Sequence, residues 1–127
     1  MFIKIPVEFD FNADDEGGSD ILTLESIKTS DPEFENIQFN LFMPNRSIRV
    51  NKNDLIKTIE YFQDHSHIGV VHLDVTMDTC IDVLKPYSFS ISIEDLNKPN
   101  ILSFNIIPSR RLFKINKHII FKALKLL

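Results

Sequence analysis

A single cysteine, Cys80, rules out an intramolecular disulfide and a four-thiolate zinc site. Tryptophan is absent, and 3 Gly and 6 Pro in 127 residues are too few for a disordered or fibrous chain. No run approaches the ~18 consecutive apolar residues of a membrane-spanning helix. Lys4, Glu8 and Asp10 stand where a secretory signal would need an unbroken apolar stretch. Together these absences lead to the expectation of a cytoplasmic protein. A phosphate-cradling glycine motif is missing too, because the adjacent pair Gly17-Gly18 sits among acids that would repel phosphate.

The last absence is of one sign of charge. Residues 110–127 carry Arg110, Arg111, Lys114, Lys117, Lys122 and Lys125 with no acid, a balance of +6. Residues 1–109 hold all 18 carboxylates against 8 Lys and Arg, so that 8 − 18 = −10. Within the acidic part, residues 1–40 alone carry 2 − 10 = −8. Fields of this kind steer encounters with charged partners and say little about fold.

What is present is a globular core composition, with 11 Phe and abundant Ile and Leu in a length that fits one domain, residues 1–127. Residues 2–11 alternate Ile3, Ile5, Val7, Phe9 and Phe11 against Lys4, Pro6, Glu8 and Asp10, the period of a half-buried strand. Pro6 lacks an N–H for the ladder and argues for an edge or a bulge. An edge strand would offer a second copy of the chain a route to pair.

After the polar loop 12–20, further strands are expected over 21–28, 35–43, 68–77, 87–93 and 101–107, with a short strand-like piece at 48–50 and a short unassigned stretch at 112–115 that leads into the last helix. Asn51 or Asn53 offers an N-cap for a helix over 52–64, whose Leu55, Ile56, Ile59 and Phe62 share one face. Asn116 caps a second helix over 117–127, with Ile119, Ile120, Ala123, Leu124, Leu126 and Leu127 in an apolar arc and Lys117, His118, Lys122 and Lys125 opposite. Phe121 falls between Lys117 and Lys125 on the polar side. No internal repeat is apparent. The expectation is an α+β fold, a mostly antiparallel sheet of about six strands packed by two helices.

The chemistry-bearing residues do not assemble into a reaction centre. His65, His67, His72 and Asp74 are of metal-binding type, but on a continuous strand His67 and His72 have opposite parity, so no metal and no cofactor is expected. Asp78 and Asp82 have no oxyanion donor beside them. Cys80, between Thr79 and Ile81, reads as a small core residue, not a nucleophile. No catalytic residue is assigned, and the chain is expected not to be an enzyme. A body of charge −10 opposes nucleic acid and anionic membranes as ligands of the basic end.

The remaining expectation is a protein partner, a basic toxin or effector. In general properties the chain resembles bacterial toxin-immunity proteins, small acidic inhibitors in which carboxylates take the place of substrate phosphates opposite Lys and Arg. A phage inhibitor, an adaptor or an assembly subunit is the alternative, with a small enzyme behind these. The binding residues expected on this reading are Asp14, Asp15, Glu16, Asp20, Asp31, Glu33 and Glu35, with Tyr61 and Phe121, and also Phe42, as aromatic anchors. Replacing Asp14, Asp15, Glu16 and Asp20 by Asn or Gln should then lower the association rate severalfold at low salt in stopped-flow or surface-plasmon measurements. The effect should fade near 0.5 M salt, where the Debye length is about 4 Å. An unchanged low-salt rate would remove this loop from the interface.

Overall fold

The computed structural model describes residues 2–9, 19–41, 46–64, 69–77, 87–107 and 111–127. Eight antiparallel strands, in chain order, form a closed up-and-down barrel: β1 (Phe2–Phe9), β2 (Ser19–Ile27), β3 (Asn36–Leu41), β4 (Arg46–Asn51), β5 (Val71–Met77), β6 (Tyr87–Ser92), β7 (Ile101–Ile107) and β8 (Arg111–Asn116). Helix α1 (Lys52–Asp64) follows β4 directly, α2 (Lys117–Leu126) follows β8 directly, and a 3-10 turn spans Pro32–Phe34.

The expected α+β class with a mostly antiparallel sheet holds, but the strand count of about six is corrected to eight. The pieces at 48–50 and 112–115 are full strands. Each passes into a helix with no intervening loop, so only a few alternating residues are left to betray it.

Alternation builds the interior. Ile5, Val7, Leu22, Leu24, Ile37, Ile48, Val50, Ile91, Leu102, Ile106 and Ile115 point inward and are buried. Phe39, Phe89, Phe104 and Phe113, from β3, β6, β7 and β8, are completely buried in mutual contact, with ring centroids 5.3–6.2 Å apart. A barrel of eight strands has an interior just wide enough for side chains to fill, and here four phenylalanines do so. Strand β5 is the most exposed of the strands at its described positions: Val71, Leu73 and Val75 are only half-buried, while His72, Asp74 and Thr76 face solvent.

Because successive strands are antiparallel, β4 and β8 run the same way and both helices leave from the same mouth of the barrel. The β4–β5 and β8–β1 seams lie on opposite sides, yet α1 and α2 pack on each other, so the pair crosses and covers that mouth. Leu55, Ile59 and Phe62 of α1 and Ile120, Ala123 and Leu124 of α2 are buried there. The arc expected for α2 is corrected at three positions. Ile119 and Leu126 are exposed, whereas Lys117, assigned to the polar face, is only 4 % exposed.

Lys117 Nζ donates 2.9 Å to the carbonyl of Phe62, in the last turn of α1. That turn has carbonyls without intrahelical partners and no basic residue of its own, so a cation from the next helix meets the negative end of the α1 dipole.

The two halves of the chain repeat. At a constant offset of 111 − 46 = 65 residues, Phe39, Asn40, Arg46, Asn51 and Lys52 recur as Phe104, Asn105, Arg111, Asn116 and Lys117. The geometry repeats with them. Lys52 N–H donates to the Glu35 carbonyl at 2.9 Å, and Lys117 N–H to the Asn100 carbonyl at 2.7 Å. Asn51 Oδ1 accepts from Asp54 N–H at 3.0 Å, and Asn116 Oδ1 from Ile119 N–H at 3.2 Å. The fold is thus a ββββα unit used twice, and the expectation of no internal repeat is corrected. Among the described residues both inter-unit seams are short: Ile48, Arg49 and Val50 pair with β5, and Glu8 and Phe9 with β8. Pro6 lies where β1 is bordered by β2 alone, so the expected edge exists only locally.

The repeated lysine makes a test. Lys117→Met leaves the Phe62 carbonyl buried without its donor and should cost about 1–3 kcal/mol in urea denaturation, whereas Lys52→Met at the half-buried equivalent, which holds only an ion pair at 3.5 Å, should cost less than about 1 kcal/mol. Equal costs would show that the buried cap does not stabilise the helix pair.

Candidate protein-binding surface

Of the acids singled out from the sequence, Asp31, Glu33 and Glu35 come together on the turn between β2 and β3, at the helix-covered mouth. Asp31 begins the 3-10 turn and Pro32 fixes its first φ. Asp31 Oδ1 accepts from Glu33 N–H at 3.0 Å, Thr29 Oγ1 donates to the Asp31 carbonyl at 2.6 Å, and Phe34 N–H returns to that carbonyl at 3.0 Å. The turn is also tied to α1, because Asn51 Nδ2 donates to the Glu33 carbonyl at 3.0 Å and Lys52 Nζ lies 3.5 Å from the Glu35 carboxylate. Among the described residues this is the one ion pair within 4 Å, so Asp31 and Glu33 have no cation beside them.

The same turn carries Phe34, 62 % exposed between Glu33 and Glu35. Sequence reading missed it, since Phe34 lies one residue outside the alternation that defines the next strand. The available signal was an aromatic residue inside an Asp-Pro turn with acids on both sides. A large apolar ring held in water by an ordered turn is a ready contact residue, because little conformational freedom remains to be lost when it is covered.

The other expected residues lie apart. Asp20 is on β2 opposite Val7, seven residues before Ile27, which places it roughly 23 Å along the strand toward the opposite mouth. Asp14, Asp15 and Glu16 fall outside the described residues, as do Phe42, His65, His67, Asp78, Cys80 and Asp82. The acidic N-terminal third is therefore not a single patch. Tyr61 is 39 % exposed on α1, edge-on to Phe62 at 5.9 Å. It borders a shallow groove of about 310 Å³ with Lys57, Thr58, Gly69, Val70 and Val71 at the β4–β5 seam. A second, deeper cleft of about 390 Å³ opens at the β8–β1 seam.

Phe121 is half-buried and packs against the core, with Lys125 Nζ 5.0 Å from its ring centroid. The lysine stem covers part of a ring whose other part is buried. His72 and Asp74 are both exposed on β5, and among the described residues no group of three or more His, Cys, Asp or Glu is placed to hold a metal ion. No described helix is long and apolar enough to cross a membrane.

No protein-family model, no curated protein and no solved structure matches the chain.

The placement of Phe121 sets an expected outcome. Phe121→Ala should lower unfolding free energy by about 2 kcal/mol, less than the 3–5 kcal/mol of a fully buried phenylalanine. Thermal or urea denaturation measures it, and a change below about 0.5 kcal/mol would mean that the ring contributes nothing to the core.

Proposed function

We propose that the chain is a non-catalytic binding protein of the inhibitor type, and that its ordered acidic turn, Asp31 to Glu35, docks on a basic surface of a protein partner in the manner of an immunity protein covering a toxin. The observation that carries this reading is Phe34, an exposed aromatic ring on a turn whose backbone is already tied down and whose Asp31 and Glu33 are unneutralised. Carboxylates so placed can take the positions that phosphate oxygens occupy against Lys and Arg, and the ring supplies the apolar contact that charge alone does not. The phenylalanine-filled barrel favours a role played on the outer surface over storage of a ligand inside.

Co-expression with the product of the neighbouring reading frame tests the proposal. Protection from growth arrest and a complex that weakens with salt are expected. In surface-plasmon measurements Asp31→Asn with Glu33→Gln should slow association severalfold at low salt, and Phe34→Ala should speed dissociation about tenfold or more, equivalent to ~1.4 kcal/mol. Full affinity in both variants would remove the turn from the interface. Absence of both complex and protection would overturn the immunity-type reading.

A further inference from the structure

The cleft at the β8–β1 seam is built where the two strands diverge. Below Glu8 and Phe9 the ladder stops, β1 continues toward Pro6 beside β2 alone, and the start of α2 enters the gap with Ile119. Across the outer wall Ser103, Lys114 and Glu8 form one cross-strand row, and Ile101 with Asn116 forms the next. The connection between β6 and β7 closes the remaining side with Glu94, Asp95 and Lys98.

That connection is ordered: Lys98 N–H donates to the Asp95 carbonyl and Asn97 N–H to Asp95 Oδ1, both at 2.9 Å, and Ile101 N–H donates to the Lys98 carbonyl at 3.2 Å. Ser103 stands on the outer face of β7 yet is only 2 % exposed, and it forms part of the cleft wall.

Three acidic residues and two lysines thus line one space of about 390 Å³, within the size range of small-ligand sites. They do not neutralise each other by contact. Glu8 and Lys114 are direct cross-strand neighbours, but among the described residues the one ion pair within 4 Å is the distant Lys52–Glu35. Asn116 Oδ1 is committed to capping α2, which leaves its amide N–H groups as donors.

We propose that this cleft binds a short zwitterionic peptide with apolar side chains. Its ammonium group is taken by Glu8, Glu94 and Asp95, its carboxylate by Lys98 and Lys114, and its side chains by Ile101 and Ile119. A ligand with a single charge would meet like charges in the same space, an anion the three carboxylates and a cation the two lysines. A zwitterion meets both sets with the favourable sign.

Isothermal titration of the intact chain with leucyl-leucine, N-acetyl-leucyl-leucine and leucyl-leucine amide tests this at low salt. One-to-one binding of the free dipeptide is expected, with each singly capped form at least about tenfold weaker, the loss of one charge-assisted hydrogen bond. Lys114→Gln and Glu8→Gln should each weaken the free dipeptide about tenfold while leaving the melting temperature within a few degrees, and amide shifts on titration should centre on Ile101 and Ser103. No binding of the free dipeptide at millimolar concentration would overturn the proposal. Capped forms that bind equally well, pointing to a protein terminus as ligand, or undiminished binding in both variants would also overturn it.

Discussion

Closing an eight-stranded ladder leaves its two open mouths as the places where the interior can meet water, and the covered mouth organises most of the molecule. The barrel core of phenylalanines is sealed there only because α1 and α2 lie across it. Each helix can do so because its strand ends in an asparagine that is at once the last ladder residue and the helix cap. With no loop at either joint, helix direction is set by strand direction, and the helices meet. Lys117 then fixes the meeting point by giving the free carbonyl of Phe62 a charged donor. The acidic turn inherits its order from the same joint, since Asn51 and Lys52 hold the Glu33 and Glu35 carbonyls.

Much of this was legible in the residues, and the rest was hidden for identifiable reasons. Tyr87 to Ile93 alternates so regularly that β6 is readable by eye, and the arc of Leu55, Ile59 and Phe62 gives α1 its observed limits. Strands β4 and β8 were underestimated because Arg46 to Asn51 offers only Ile48 and Val50 as an apolar face before helical spacing begins. Strand closure could not be read at all, as it depends on pairing between the first and last strands. The repeat escaped because a few identities scattered at spacing 65 carry little weight until hydrogen bonds repeat at the same offset.

Charge was the least transferable part of the reading. A helical projection assigns Lys117 to solvent because it counts angles on one helix, and nothing in it represents an unpaired carbonyl arriving from another. Acid density along the first 40 residues likewise became two locations once Asp20 and Asp31 were set at opposite ends of β2. The aromatic residue that best suits a binding role, Phe34, was invisible to both periodicities because it belongs to neither a strand nor an α-helix.

The doubled ββββα unit carries a consequence for how such a barrel can arise and change. One unit alone would have two unpaired outer strands, and two separate copies related by a two-fold rotation would satisfy each other's edges and close the same barrel. Joining them in one polypeptide replaces a concentration-dependent dimer by an intramolecular partner at an effective concentration in the millimolar range. It also frees each copy from having to suit both roles. The Asn-Lys pair shows the result: one lysine remains half-exposed beside Glu35, and its counterpart has become an internal fastening between the two halves.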